Sequence, residues 1–508
     1  MLKINTKKNN SKNIKNKDSL KTNYNLLSDE AKAIIARPIE KTISIAVIVG
    51  IVQIIEMAIL AALGALIYFF YVGNDGDPRF YFMVIISGVI FANIFFNISR
   101  VHRIGAYRNF LLQMGKILAA WSALFTLMVI LIFLFKASDS ISRIWIIGWY
   151  FSGSIFLILY RLTIKTLILH WTKLGKLKRR TVIIGGGSDA ESLINTIQNS
   201  KETDIELLGI FDDRIDERSP EKVAGLQKIG KVINLLTFAR ETRVDLIIVS
   251  LPLSAEERVL QMFKQLWVLP VDIRLSAHMS KLKFKASAYS YIGDVAVFDM
   301  ADKPISDWSL VFKWVFDKIT AIIAIILLFP VMIIAAIAVR LDSKGPVIFK
   351  QKRYGFNNEM IEIYKFRSMY ADMSDATASK LATKNDPRIT KVGKFIRKTS
   401  IDELPQLFNV LKNELSMVGP RPHAVSAKAE NKLYNDSVSG YFARHKVKPG
   451  ITGWAQINGW RGETETAEKI IKRVDHDLYY IDNWSLMLDV YILLMTPISL
   501  LSKNENAY

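Results

Sequence analysis

Residues 397–406 read RKTSIDELPQ, and within them two carboxylates, Asp402 and Glu403, stand side by side. Arg397 and Lys398 precede the pair and Pro405 follows it. An ionised carboxylate can attack phosphorus and form an acyl phosphate. A second one can hold Mg2+ together with substrate phosphates. A structural reading competes. Ser400-x-x-Glu403 has the spacing of a helix capping box, with the Ser400 hydroxyl accepting a backbone N–H and Glu403 reaching back to the cap. Acids in a first helical turn are also favoured by the helix dipole. The pair alone favours the cap, and the rest of the chain has to shift that balance.

The chain has 508 residues, enough for two or three domains, and carries a formal net charge of +20. Such an excess suits nucleic acid, anionic lipid or phosphorylated substrates. There is no cysteine, which excludes disulfides and thiolate metal sites and fits a bacterial cytoplasm and inner membrane. Residues 1–30 are rich in Lys and Asn, so a disordered basic tail is expected over 1–40. No short apolar region with a small-residue cleavage site follows it, so no signal peptide is expected.

Four apolar segments, 43–72, 80–98, 112–135 and 144–170, are each long enough to cross a bilayer, giving a four-span bundle over 41–172. The connection GNDGDPR is acidic, whereas SRVHRIGAYRNFLLQMGK and HWTKLGKLKRR are basic, which places both ends of the bundle in the cytoplasm. Because this bias already accounts for much of the basic excess, a nucleic-acid partner is not expected. Glu56 lies inside the first span and is expected to face the bundle interior or a headgroup. A further run, ITAIIAIILLFPVMIIAAIAV at 319–339, has Lys313 and Lys318 before it and Arg340 and Lys344 after it. Pro330 in its middle removes a helix hydrogen bond. The expectation is a bent, re-entrant helix over 312–340 that returns to the cytoplasmic face, with an ordinary fifth span as the alternative. Residues 484–501, WSLMLDVYILLMTPISLL, read as an interfacial anchor.

Between these apolar regions, residues 180–300 alternate short apolar runs (TVIIG, IELLGIFDD, VDLIIVS, VDIRLSA) with helical patterns, as in a Rossmann-like α/β domain. Gly185 and Gly187 in GGGSDA follow the first strand and open a helix, a turn that could seat a nucleotide phosphate, and Asp212 ends the second strand where a ribose partner would stand. A short-chain reductase or dehydratase would need Tyr-x-x-x-Lys; Tyr289 and Tyr291 have no lysine four residues on. Ligand sensing or self-association is left open for this domain.

The last third carries GPVIFKQKRYG (345–355), YKFRSM (364–369), NDPRITKVGKFIRKTSIDELPQLFNVLKNELSMVGPRP (385–422) and KPGITGWAQINGWRGET (448–464). With these blocks in this order, the chain resembles the bacterial sugar transferase family, the polyprenyl-phosphate hexose-1-phosphate transferases, over roughly 312–500 within a domain placed at 308–503. Asn413 stands where many members have Gly. The four spans and the sheet domain resemble the large members, and GWRGET resembles those that transfer glucose-1-phosphate. The resemblance implies a mostly helical catalytic domain that moves hexose-1-phosphate from a UDP-sugar to undecaprenyl phosphate with release of UMP. That step would open exopolysaccharide or capsule synthesis at the inner membrane, on its cytoplasmic side.

For such a reaction Asp402 is the candidate nucleophile and Glu403 the candidate Mg2+ ligand. Both substrates are anionic, so Lys365, Arg367, Arg397 and Arg421 are the candidate phosphate-binding cations. The KPGITGWAQ segment is expected to shape the sugar-nucleotide pocket. A rival reading, a membrane sensor with a decayed C-terminal region, would predict erosion of the acidic pair or its basic surroundings, and neither is seen.

Overall fold

The computed structural model describes residues 27–37, 44–99, 101–102, 110–200, 205–214, 219–251, 256–276, 290–292, 295–373, 386–423, 428–429, 432–433, 440–460 and 467–502. They form two compact units, Glu40–Arg179 and Met1–Ile39 with Arg180–Tyr508.

The N-terminal region corrects one expectation. Asp29–Ile35 is a helix, α1, where a disordered tail was expected. Ser28 caps it by accepting from Ala31 N and donates to Ile229 O at 2.8 Å. Leu27, Ala31 and Ile34 bury into the core of the sheet domain beside Leu235 and Phe238. Residues 1–26 lie outside the described residues.

The first unit holds four long apolar helices, α2 (Ile45–Ile67), α3 (Pro78–Ile98), α4 (Phe110–Leu134) and α5 (Arg143–Lys173). Ser44, Asp77 and Ser142 cap three of them, which is why these helices start where the apolar runs begin. Tryptophan from α5 stitches the bundle: Trp145 Nε1 donates to Gly64 O and Trp149 Nε1 to Leu60 O, both at 2.9 Å. The indole of Trp149 lies so close to Gly64 and Gly88 that a Cβ there would come within 3.0 and 2.8 Å of it. Glu56 is fully buried in the bundle interior. Its carboxylate accepts from Arg161 Nη2 at 2.8 and 2.7 Å and lies 2.8 Å from His102 Nε2. Of the basic connection after α3, Arg103 and Arg108 lie outside the described residues.

In the second unit an eight-stranded sheet runs β3-β4-β2-β1-β5-β6-β8-β7. Its strands are β1 (Arg179–Ile184), β2 (Ile205–Phe211), β3 (Lys222–Val223), β4 (Leu226–Gly230), β5 (Leu246–Val249), β6 (Asp272–Ser276), β7 (Ser290–Ile292) and β8 (Val295–Ala301). β1, β5 and β6 pair in parallel, and β8 closes one side antiparallel to β6. Alternate residues feed opposite faces: Val182, Ile184 and Ile247 join one core, Ile183, Leu246 and Ile248 the other. Helices α6 (Ser188–Asn199), α7 (Val232–Glu241) and α8 (Glu256–Leu266) cover the sheet.

The chain then enters α9, Asp307–Asp342, a 36-residue helix that continues through Pro330. Five helices among the described residues, α9 included, are long and apolar enough to cross a membrane. The middle of α9 is bare of protein cover at Ile322, Ile326, Leu327, Phe329 and Ile334. Its ends are not. Near the start, Lys313 pairs with Asp317 at 3.1 Å and Asp489 at 2.8 Å and donates to Val418 O at 3.0 Å. Near the end, Met332, Ala335 and Val339 pack on Phe366 and Ile396, and Asp342 accepts from Val392 N at 3.0 Å. Around these contacts lie hairpin β9 (Ile348–Tyr354) and β10 (Met360–Phe366), helices α10 (Lys391–Lys398) and α11 (Gln406–Leu411), the parallel pair β11 (Ser416–Val418) and β12 (Gly450–Thr452), and helices α12 (Ala467–Asp482) and α13 (Leu486–Ser502). The turn after α11 explains Asn413: it takes φ +70°, a conformation that Gly or Asn tolerates.

Removing one partner of the Glu56–Arg161 pair strands a charge in an apolar bundle. Glu56→Ala is expected to cost about 3–5 kcal/mol. Thermal unfolding in detergent should show it, with much of the loss recovered when Arg161→Leu is added.

Candidate active site

The acidic pair sits on a tight corner rather than a helix start. α10 begins at Thr390, whose Oγ1 accepts from Gly393 N at 2.9 Å. Gly393 presses on the carbonyl of Ser368, leaving no room for a Cβ. α10 stops at Lys398, and Ser400 follows with φ +60° and ψ 16°, a left-handed backbone unusual for a non-glycine residue. The reversal launches the short 3₁₀ turn Ile401–Glu403, which Pro405 separates from α11. The capping-box expectation is therefore corrected: no Ser400 side-chain cap forms, and Glu403 N bonds the Ser400 carbonyl at 3.2 Å instead. Left-handed non-glycine backbone costs about 1–3 kcal/mol and persists where surrounding structure enforces it.

β10 lies alongside this corner because Asn409, fully buried on α11, ties the two together. Asn409 Oδ1 accepts from Tyr364 N at 3.0 Å, and its Nδ2 donates to Glu362 O at 2.7 Å. The next residue on β10, Lys365, thereby reaches Glu403 Oε1 at 2.8 Å. Arg421 closes on the same carboxylate from the other side, with Nη1 3.0 Å from Oε2 and Nη2 on Oε1. The backbone of Arg421 is itself held: Arg444 Nη2 donates to its carbonyl at 2.7 Å and also binds Asp477. Asn409, Arg444 and Asp477 are positioning residues that the sequence reading missed: Asn409 lies inside a recognisable block without a signature of its own, and Arg444 and Asp477 lie outside the blocks.

These neighbours drive the two acids apart. Burial pushes the Asp402 carboxyl up to about 6, opposed by the charges of Lys365, Arg397 and Arg421 and reinforced by Glu403. Burial also disfavours ionised Glu403, but Arg421 and Lys365 outweigh it by charge and hydrogen bond and hold that carboxyl well below its usual range. A carboxylate with a raised pKa is a better nucleophile and is still largely ionised at pH 7. Asp402 has that character; Glu403 is the fixed anion. Arg397, half-buried in the last turn of α10, adds positive charge near Asp402.

Arg367 is the expected cation that the structure places elsewhere. It is buried, and its guanidinium donates to the carbonyls of Pro346 at 2.6 Å, Ser343 at 2.6 Å and Val339 at 3.2 Å. It closes the C-terminal end of α9, where helix carbonyls lack partners. The sheet domain departs from its expectation too. The N–H of Gly186, which a phosphate would use, donates to Asp212 Oδ2 at 2.8 Å. Asp212 is buried and gripped by Arg214 Nη2 at 2.8 Å, so it fills the turn of Gly185 (φ +100°) and Gly187 instead of standing off for a ribose. Within KPGITGWAQ, Trp454 stacks on Tyr479 at 5.6 Å. The RGET end of GWRGET lies outside the described residues.

The donor chemistry for Mg2+ fits through Glu403, an ionised carboxylate beside a second one. Among the described residues no cluster of three or more acidic or histidine side chains could cage a metal alone. A hard cation here would need substrate phosphates and water as its other ligands, the usual arrangement for Mg2+.

The profile of the bacterial sugar transferase family matches residues 308–503, and a profile described as a CoA-binding domain matches residues 97–277. A UDP-glucose:undecaprenyl-phosphate glucose-1-phosphate transferase of Klebsiella pneumoniae is 37% identical over 85% of this chain and 91% of its own length. The protein of the same name from Xanthomonas campestris pv. campestris is 30% identical over 90% and 94%, and that of Escherichia coli K12 is 37% identical over 70% and 75%. The chain therefore belongs to the bacterial sugar transferase family.

The relocation of Arg367 is open to a direct check. Arg367→Gln should lower thermal stability by about 3 kcal/mol through orphaned carbonyls. The folded fraction should keep its KM for a phosphorylated substrate, whereas a phosphate-clamp role would raise that KM sharply.

Proposed function

We propose that this chain transfers glucose-1-phosphate from UDP-glucose to undecaprenyl phosphate, releasing UMP, in two displacements through an aspartyl-phosphosugar intermediate on Asp402. The observation that carries the mechanism is the pair of adjacent carboxylates with oppositely displaced acidities, ringed by three cations. The names of the relatives favour glucose over galactose. A Asp402 Oδ attacks the β-phosphorus of the sugar nucleotide, and the bond to the bridging oxygen breaks with its electron pair leaving on UMP. An oxygen of the lipid phosphate then attacks the same phosphorus and returns Asp402 as carboxylate. Lys365, Arg421 and Arg397 neutralise the phosphates during both displacements. Mg2+, held by Glu403, would supply charge neutralisation on the diphosphate and the leaving group.

In the same proposal, four helices cross the inner membrane, α9 is re-entrant, and the site works at the cytoplasmic face, at the first membrane step of exopolysaccharide or capsule synthesis. Three features support the topology. The flanks obey the positive-inside bias. Straight, α9 would be about 54 Å long, well beyond a ~30 Å hydrocarbon core, so its ends would emerge on opposite sides. Yet Lys313 at one end and Asp342 at the other are bound by the same folded body, through Val418 and Asp489 and through Val392. Near the acidic corner that body also exposes Phe395, Phe408 and Leu411, apolar groups suited to a lipid boundary.

Asp402→Asn should abolish both UMP release and the covalent sugar-phosphate adduct seen by intact-protein mass spectrometry. Normal turnover by that variant would remove Asp402 as nucleophile. Glu403→Gln should lose activity and shift the Mg2+ titration together; an unaltered metal response would exclude it as a ligand. Because the chain has no cysteine, Ser306→Cys and Lys344→Cys can report topology singly. Both should resist an impermeant maleimide in intact spheroplasts and react after lysis. Labelling of either one from outside would mean that α9 crosses.

A further inference from the structure

The two cations that hold Glu403 share a structural origin. Lys365 lies on β10 of a hairpin, and Arg421 is held by Arg444 from the turn Tyr441–Lys446. The far ends of both elements rest on the sheet domain. At the hairpin tip, Asn357 and Asn358 take φ +50° and +62°, two successive left-handed residues that are not glycine. Asn357 Nδ2 donates to Ala239 O of α7 at 3.1 Å. With its amide oriented to satisfy its neighbours, Asn358 accepts from Arg240 Nε at 3.2 Å and Nη2 at 3.3 Å and donates to His445 Nδ1. The same Arg240 guanidinium lies 5.0 Å over the Phe442 ring. Trp267, just after α8, holds the other side of that turn: Gly440, at φ +76°, fits against its indole with no room for a Cβ, and Lys446 Nζ lies 5.0 Å over its ring.

From there the contacts run inward without a break. His445 packs edge-on against Tyr441, whose hydroxyl is 2.8 Å from His423 Nδ1. Arg444, fully buried beside them, binds Asp477 and the Arg421 carbonyl. We propose that Arg240 and Trp267 of the sheet domain are positioning residues for the transferase site, clamping the hairpin and the Tyr441–Lys446 turn so that Lys365 and Arg421 meet on Glu403. The sheet domain is then a working support of the reaction centre. This inference rests on the function proposed above. It also gives a use to a domain whose glycine turn is occupied by its own Asp212.

The test uses the full-length protein in detergent with UDP-glucose and undecaprenyl phosphate, with rates normalised to the amount of phosphosugar adduct formed in the first turnover. Arg240→Ala should lower normalised kcat about tenfold or more, because small misplacements of charged groups are expensive in rate. KM for UDP-glucose should change far less, and Arg240→Lys, which keeps a cation over Phe442, should recover part of the loss. The deficits of Arg240→Ala and Lys365→Ala should be markedly less than additive in a double-mutant cycle. Trp267→Phe, a milder change, should show a smaller kcat loss if Arg240→Ala fails to fold. A normalised kcat at the parent value in Arg240→Ala, or in Trp267→Phe should that variant alone fold, overturns the proposal while leaving the transferase reading intact. Absence of UMP release by the unaltered protein would instead overturn the transferase reading.

Discussion

A buried carboxylate that must stay ionised is the constraint on which the acidic corner depends. Glu403 is largely withdrawn from water and survives as an anion because Lys365 and Arg421 reach it from opposite sides. Removing both cations would leave an uncompensated charge, a penalty of several kcal/mol. The fold answers this need with elements distant in sequence: a hairpin brings Lys365, the end of β11 brings Arg421, and Asn409 fixes the hairpin to the helix behind the dyad. Burial pushes the Asp402 carboxyl up, and the negative charge of the anchored Glu403 adds to that push, so that Asp402 is shaped by the same interaction. Two identical functional groups, one bond apart along the chain, acquire different characters from their surroundings alone.

In the proposed membrane arrangement, the second constraint is to keep such a charged corner next to lipid. α9 meets it with an apolar middle and polar ends. Lys313, Asp317 and Asp489 form a buried cluster that fastens its start, Ser416 and Met417 adding bonds to Asp317 at 3.0 Å each. Arg367 fastens its end through backbone carbonyls. The dyad is built between these two fastenings, on the segment joining α10 to α11. In the proposed re-entrant arrangement the depth of the helix in the bilayer sets the height of the reacting carboxylate above it.

Much of this was legible in the sequence where one periodicity or one motif dominates. The apolar runs matched the long helices to within a few residues, since length and composition suffice for such segments. Alternating apolar runs gave the parallel centre of the sheet but not its antiparallel edges, and the ordered blocks of the last third located Asp402, Glu403, Lys365 and Arg421 together. What failed did so for tertiary reasons. Ser400-x-x-Glu403 has cap spacing, yet the chain reverses at Ser400 because the dyad needs a corner. Arg367 sits two residues from Lys365, so strand alternation should place both on one face, but the strand ends at Phe366 and the guanidinium turns to α9 instead. The first helix, which follows the Lys/Asn-rich stretch, was missed because its stability comes from docking on the sheet and not from its own short pattern.

The sheet domain shows how a fold signature and a ligand signature separate. A glycine-rich turn after β1 is demanded by geometry: Gly185 adopts φ +100°, and a Cβ on it would collide with the Ser250 carbonyl. Those requirements exist whether or not a phosphate ever arrives, so the motif reports the turn more reliably than the ligand. Here the donor that would greet an anion is engaged by one already in the chain, and Arg214 balances its charge. With the turn closed in this way, the part of the domain that bears on the reaction lies at the ends of α7 and α8. There, side chains touch the catalytic region directly, and the position of a guanidinium can be passed on through packed rings to a carbonyl at the site.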